Sequence, residues 1–394
     1  MEAFSYAEQI GLLDRCIQRD LRLADELARL GRTYDDLRYA TDGRTVSSVP
    51  TPPAMRRRPR RSASIPTVSF FSGCGGMDLG LEAAGFTHLA LVENNRLFCD
   101  TLRLNRPGWN VVGPPLHRGD VSEIESIIEA LTQIGLSAPF EGLFCGGPPC
   151  QPFSIAANQR FAKSGPDFKR IGYAHRLHGS LLFDFLQLVT HFRPRVFLIE
   201  NVPGLATIDD GQPLREALQE MAGVGYEVHG PCILDAADFG VPQRRQRLLL
   251  VGCRTPGQFS FPQPTGPPAA CGTPLSSSLD GVPNHVTRQH SAESVRRYMM
   301  LAYGQRDKLG RVDRLDPSLP SKTVIAGGTN GGGRSHLHPL IPRTLSVREC
   351  ARLQTFPDDF LFLGPPARQF TQVGNAVPPR LAAQVGEAIR RWCF

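Results

Sequence analysis

One thiol in this 394-residue chain is set apart from the others. Cys150 lies in Gly146-Gly147-Pro148-Pro149-Cys150-Gln151-Pro152-Phe153-Ser154, where three prolines within five residues stiffen the backbone around it. A cysteine is usually a small buried apolar residue. A polar loop shaped by Gly and Pro is a different setting, one that exposes the sulfur and favours a thiolate nucleophile. Fifty positions on, Phe197-Leu198-Ile199-Glu200-Asn201-Val202-Pro203 ends an apolar run in a carboxylate. Such an acid either serves the same pocket as the thiol or pairs with an arginine. Gln243-Arg244-Arg245-Gln246-Arg247 then leads into Leu248–Val251. Along an extended chain Arg245 and Arg247 point one way, Arg244 and Gln246 the other. The pair suits an anionic site or a solvated sheet edge.

A second group sits earlier. Phe71-Ser72-Gly73-Cys74-Gly75-Gly76 follows an apolar run and precedes a helix pattern. Glycines there let the backbone approach a ligand, and the helix start offers free N–H donors. Glu93, 20 positions past Gly73, suits ribose hydroxyls, and Asp120 the exocyclic amine of an adenine. By themselves these residues describe a nucleotide-like ligand, or a glycine turn with none. A dinucleotide is disfavoured, because Asp78 occupies the third glycine position of G-x-G-x-x-G.

Bringing these groups together requires strands that end at one edge. Short apolar runs at Val68–Phe71, Leu89–Val92, near Val111, Leu143–Cys145, Val196–Ile199 and Leu248–Val251 read as strands. Helix patterns at Met77–Ala84, Asn95–Asn105 and Ser122–Ile134 alternate with them. This rhythm predicts an α/β fold with an open, mostly parallel sheet and ligands at the strand carboxyl ends. Residues 5–40 read as helix, with Ile10, Leu13, Ile17, Leu21, Ala24 and Leu27 at helical spacing. A Pro/Ser/Arg-rich linker, Thr41–Pro66, follows. From Arg254 to Pro320 the chain is dense in Pro, Gly and Ser and reads as a smaller irregular domain. Helix patterns return at Ser346–Gln354 and Pro379–Trp392, the latter opened by Pro378-Pro379. The division is therefore 1–66 helical extension and basic linker, 67–253 catalytic domain, 254–320 irregular domain, and 321–394 a return to the catalytic domain.

Composition excludes several classes. No stretch approaches the ~20 apolar residues that span a bilayer, and the first 20 residues lack a signal-peptide pattern. Ten cysteines without an export signal indicate reduced thiols in a cytosolic compartment. Cys145 and Cys150 are too widely spaced for a C-x-x-C zinc knuckle, so no metal is expected. The net charge of +7 permits a polyanionic partner, and its clustering favours one. Five of residues 56–61 are arginine, Ile155–His178 carries five Lys/Arg against one acid, and Arg254–Lys322 nine against five. Three such segments suit phosphate contacts, or solvated faces.

Six segments occur in one order: Phe71–Gly76, Gly146–Ser154, Glu200-Asn201-Val202, Gln243–Arg247, Arg348-Glu349-Cys350-Ala351-Arg352-Leu353-Gln354-Thr355-Phe356-Pro357, and Gly374-Asn375-Ala376-Val377-Pro378-Pro379. Together they resemble the motif set of DNA (cytosine-5-)-methyltransferases, especially the bacterial restriction–modification type, from about Thr67 onward. The resemblance implies a Rossmann-like S-adenosylmethionine-dependent methyltransferase sheet, with the irregular domain reading the target sequence.

The same resemblance implies roles. Cys150 would attack C6 of cytosine, making C5 enamine-like and able to take a sulfonium methyl. Glu200 would grip the N3 and amine edge, Arg245 the base carbonyl, with Arg247 in support and Asn201 fixing the loop. Phe71, Ser72, Gly73, Cys74, Gly75, Gly76, Glu93, Asn94, Asp120, Val121, Asn375 and Val377 would surround S-adenosyl-L-methionine. A duplex cytosine must be flipped out to reach a buried thiol. Gln151, Ser154, Arg160, Lys163, Lys169 and Arg170, in a loop closing over DNA, and Thr323, on phosphate, would contact double-stranded DNA. A cognate restriction endonuclease would share the site without direct contact. The chain is expected to act as a monomer or weak dimer in the bacterial cytoplasm or nucleoid, without a membrane. Residues 1–66 have no counterpart in the family core and read as an appended or oligomerising element, or as a DNA contact through the arginine cluster. The rival readings are a tRNA cytosine-C5 methyltransferase and a catalytically silent DNA-binding regulator.

Overall fold

The computed structural model describes residues 4–40, 64–149, 181–255, 257, 259–326 and 336–394. In chain order the elements are helices α1 (Tyr6–Gln18) and α2 (Leu23–Arg29), strand β1 (Ile65–Phe70), α3 (Gly76–Ala84), β2 (Phe86–Val92), α4 (Arg96–Asn105), β3 (Val111–Val112), α5 (Ile124–Gln133) and β4 (Leu143–Gly146). Then come α6 (Leu181–Phe192), β5 (Val196–Asn201), α7 (Gln212–Gly223), β6 (Glu227–Asp235), β7 (Gln246–Cys253), α8 (Gly272–Ser276) and α9 (Ala292–Met299). The chain ends with β8 (Arg306–Asp307), β9 (Val312–Asp313), α10 (Val347–Leu353), α11 (Pro366–Asn375) and α12 (Pro379–Cys393). They form two compact units, each discontinuous in sequence. A sheet unit takes residues 54–239, 245–265 and 376–394, and an irregular unit takes 1–53, 240–244 and 266–375.

The sheet unit is built on seven strands in the order β3-β2-β1-β4-β5-β7-β6. β1 pairs in parallel with both β2 and β4, and β4 in parallel with β5, while β7 runs antiparallel between β5 and β6. This is the mostly parallel α/β sheet read from the sequence. Its strand order reverses at β1, where such sheets open a crevice for ligands. The central strands are buried on both faces, although β1 turns Thr67 and Ser69 to one of them. Phe70, Phe144, Phe185, Phe192 and Phe197 are buried in one core, with the Phe70 ring 5.1 Å from Phe144 and 5.3 Å from Phe185.

The alternating rhythm does not foretell β6. Its Gly230-Pro231 step and exposed side chains give no apolar period, and proline is tolerated there because β6 is an edge strand. α12 closes the unit by packing on α3. A Cβ on Gly80 would stand 2.3 Å from the Pro379 carbonyl oxygen and 2.5 Å from the Ala382 Cβ.

In the irregular unit, the helix expected over residues 5–40 is two helices and a turn. The chain breaks after α1 because Asp20 adopts a left-handed conformation, φ 51°, and Leu21 N–H turns back to the Cys16 carbonyl at 2.9 Å. α1 and α2 are not an appendage. Leu12, Leu13, Cys16, Leu23 and Leu27 share one buried cluster with Ala292, Val295 and Met299 of α9. That cluster covers most of the apolar stripe read from the sequence, with Leu21 left exposed. The irregular unit also takes in residues 321–375, which the sequence division assigned to the catalytic domain.

Candidate active site

β1 ends where Phe71 turns left-handed, φ 54°, and Gly73 and Gly75 follow with φ 58° and 86°. Gly75 is pressed so closely on Leu102 that an added Cβ would lie 2.8 Å from its Cδ2, whereas nothing lies within 4 Å of a Cβ on Gly73. One glycine is therefore required by packing. The other leaves open space above the start of α3, room that a ligand can fill.

Glu93, at the end of β2, spans this turn. Its Oε2 accepts the Gly73 N–H at 2.8 Å and its Oε1 the Asn95 N–H at 2.7 Å. Burial pushes the Glu93 pKa up, and these backbone donors oppose the shift. The Asp120 backbone is drawn to the same place by two glycines. A Cβ on Gly113 or on Gly119 would come within 2.2 Å of the Glu93 carbonyl oxygen. Asp120 Oδ1 accepts the Ser122 N–H and hydroxyl at 3.1 and 2.7 Å. Its other oxygen takes no hydrogen bond from the described residues. Phe71 is half-buried, Ser72, Cys74, Gly76 and Val121 are buried, and Asn94 is exposed.

Beneath the turn lies a pair that sequence reasoning passed over. Asp78 Oδ1 and His88 Nε2 approach at 3.0 Å with both side chains fully buried, and the Trp109 ring lies 4.9 Å from His88. The signal was present: the acid that spoils the dinucleotide pattern is an unusual residue to bury without a partner. Gly113 and Gly119 carried no signal, because their role depends on where β2 ends.

The other cluster forms at β4, β5 and β7. Glu200 Oε1 meets Arg247 Nε at 2.5 Å. Arg245 is 2% exposed and Arg247 9%, while Arg244 and Gln246 are exposed, the alternation expected for an extended segment. Burial pushes the Arg245 pKa down, Arg247 adds to the shift, and Glu200 opposes it. The Arg245 N–H donates to Asp235 Oδ1 at 2.9 Å, fixing the backbone from β6.

The loop leaving β4 runs against this cluster. A Cβ on Gly147 would lie 2.9 Å from Glu200 Oε2, and Asn201 Nδ2 donates to the Pro148 carbonyl at 3.4 Å. Pro149 is exposed. Cys150, Gln151, Ser154, Arg160, Lys163, Lys169 and Arg170 lie outside the described residues.

A family model of C-5 cytosine-specific DNA methylases matches residues 65–270 and 277–391. The chain belongs to this family. It is 32% identical over 365 residues to the Type II methyltransferase M.PspPI of Psychrobacter sp., covering 86% of this chain and 81% of that one. It is 32% identical over 348 residues to M1.HphI of Haemophilus parahaemolyticus, covering 83% and 87%. Among solved structures, an E. coli prophage-encoded protein assigned as a DNA modification methyltransferase superposes with a TM-score of 0.67 at 25% identity, over 83% of this chain and 99% of that one. The Entamoeba histolytica methyltransferase EhMeth, at 16% identity and a TM-score of 0.61 over 84% of this chain and 99% of that one, shares the fold.

As a DNA cytosine-5 methylase, the chain has its sequence-derived residues distributed over both units. Phe71 to Gly76, Glu93 and Asp120 come together at one end of the sheet, and Glu200, Asn201, Arg245 and Arg247 at β5 and β7. Val377 lies in the return to the sheet unit, which begins at Ala376, whereas Asn375 is the exposed last residue of α11 in the irregular unit. Thr323 also belongs to the irregular unit, where its hydroxyl donates to the Arg244 carbonyl at 2.8 Å. The N-terminal helices fall outside the family match yet fold into that same unit.

Proposed function

We propose that this methylase uses S-adenosylmethionine to methylate C5 of a flipped-out cytosine within a specific duplex sequence, as the modification enzyme of a restriction–modification system. The observation that carries the reading is the meeting of Gly147 and Pro148 with Glu200 and Asn201. It starts the Cys150 loop beside a carboxylate already gripped by Arg247.

Cys150, as thiolate, adds to C6 of the base and breaks the ring's delocalisation, leaving C5 nucleophilic. Glu200 holds a proton at N3 and accepts from the exocyclic amine, so negative charge does not build up on the ring. Arg247 keeps that carboxyl in place, and Arg245 donates to the base carbonyl. Arg245 is buried, so little water competes for its donors at that oxygen. The donor, when bound, supplies an electrophilic methyl on a sulfonium. Glu93 and Asp120 would hold its ribose and adenine, and the open space over Gly73 would admit its amino-acid end. After transfer, loss of the C5 proton and expulsion of the Cys150 thiolate restore the aromatic ring.

The test is to express the chain in a host free of cytosine methylation and map 5-methylcytosine in its DNA, alongside Cys150→Ala. A single sequence methylated by the wild type, with a blank map for the variant at equal protein level, is the expected result. Methylation by the variant would remove the thiol from the chemistry. Methyl acceptance by tRNA but not by duplex DNA would move the enzyme to an RNA substrate.

A further inference from the structure

The irregular unit carries a hairpin built differently from everything around it. β8 and β9 pair antiparallel, Arg306 with Asp313 and Asp307 with Val312. The ladder continues through the Arg314 N–H to the Gln305 carbonyl and the Gly304 N–H to the Arg314 carbonyl, both at 2.8 Å. Its root is fixed by Arg314, whose guanidinium stacks 3.4 Å from the centre of the Tyr39 ring and 4.2 Å from that of Tyr303. The tip is fixed as well. Asp307 Oδ2 accepts the Gly310 N–H at 2.6 Å, and Arg311 is held left-handed at φ 53°.

Charge on this ribbon is sorted by depth. Asp307 and Asp313 are 6% and 7% exposed and face inward, to Arg297 at 3.2 Å and to Lys322 at 3.3 Å. Lys308 and Arg311 are exposed and make no ion pair with the described residues. Between them Leu309 is 76% exposed at the tip of a rigid turn. A two-stranded ribbon has the width of the DNA major groove, whose floor offers the thymine methyl as its apolar feature and whose walls are phosphates. A tip with one leucine between two free cations matches that pattern. A solvated hairpin would have no reason to hold a left-handed arginine and an exposed leucine in place.

We propose that the β8–β9 ribbon enters the major groove of the substrate duplex, with Lys308 and Arg311 on phosphates and Leu309 against a thymine methyl of the recognition sequence. The assignment rests on duplex DNA being the substrate. It makes Leu309 a specificity residue and gives the ion pairs of Asp307 and Asp313 the task of presenting it.

Two measurements on the full chain test it. The first is binding to a random-sequence duplex across a salt series, for wild type and Lys308→Gln/Arg311→Gln. Each phosphate contact contributes about 0.9 to the slope of log K against log salt, so the variant's slope should shrink by nearly two. Its melting temperature and its binding of S-adenosylmethionine should stay unchanged. A steep wild-type slope that the variant retains would overturn the ribbon assignment. A flat wild-type slope would instead overturn the duplex reading beneath it.

The second uses the mapped site, synthesised with uracil in place of thymine at one position at a time. At one position wild type should lose about four-fold in methylation rate, the value of one buried methyl. Leu309→Ala should lose nothing further there. An equal loss in both proteins at every position, or a site containing only G·C pairs, would sink the Leu309 contact.

Discussion

The two units solve the same problem by different chemistry. In the sheet unit, backbone N–H and C=O groups are paired by strand ladders and helices, and a dry aromatic core holds the layers together. The irregular unit has few ladders, and its loop carbonyls are satisfied by buried guanidinium groups. Arg348, 0% exposed, donates to the carbonyls of Pro283, Pro357 and Phe360. Arg314 bridges the carbonyls of Leu301 and Pro339. Arg343, also 0% exposed, is bidentate to Glu349 at 2.8 Å on each arm and reaches Asp35 beside the N-terminal helices. An irregular chain leaves carbonyls that no strand will pair. A planar fork with five donors serves several at once.

The contrast can be broken from either side, and the largest effect belongs to chemistry in the sheet unit. Glu200→Ala should lower kcat about 10³-fold, because the proton at N3 loses its holder. Its donor binding should match wild type in calorimetry, and a rate within a few-fold of wild type would dismiss the assigned role. Next is the irregular unit's fork. Arg343→Met leaves the Glu349 carboxylate buried without its partner, at a cost of about 3–5 kcal/mol. Arg343→Lys should fail to restore it, since an ammonium cannot reproduce the bidentate geometry. Denaturant titration reads both, and a full rescue by lysine would show that charge rather than the fork is what matters.

A smaller effect is expected at Gly147. The Cβ of Gly147→Ala would push the Glu200 carboxylate away from Arg247, and a displacement of that kind costs about 10²-fold in kcat. Steady-state rates that match wild type would mean that the loop yields instead.

The smallest effect concerns pH and the irregular unit. Burial, with Arg288 and Arg343 nearby, pushes the His290 pKa down to about 4. Its Nε2 accepts the Thr344 N–H at 3.2 Å, so the folded ring is held neutral. A depressed histidine means that the unfolded chain takes up the proton first. The contribution of His290 to stability is thus complete above about pH 6.5 and is lost as the pH drops from there toward 4. His290→Gln should flatten the melting temperature over that window, and an unchanged slope would assign the loss to other groups.

What was legible in the sequence follows the same division. Strands β1, β2, β4, β5 and β7 announce themselves as apolar runs because both faces are covered. The alternation of Arg245 and Arg247 is a property of any extended chain. The irregular unit withheld its plan because its contacts join distant residues. Nothing in Leu12 or Leu27 names Val295 as a partner, and nothing in Tyr39 names Arg314. The break at Asp20 was hidden because a left-handed aspartate interrupts a helix without interrupting its apolar spacing. Within the site, the sequence pointed to Glu93, Asp120, Glu200, Arg245 and Arg247, which lie at or near strand ends of the sheet unit, and not to the spacers between them. Gly113 and Gly119 look like ordinary loop glycines until the Glu93 carbonyl is seen lying against both.

The contact between α3 and α12 sets a timetable. The helix that follows the glycine turn leaves the ribosome early, while Pro379 and Ala382, which lie against Gly80, are translated long afterwards. Until they arrive, the face of α3 around Gly80 is bare. The sheet unit is therefore complete only once the last helix of the chain has docked.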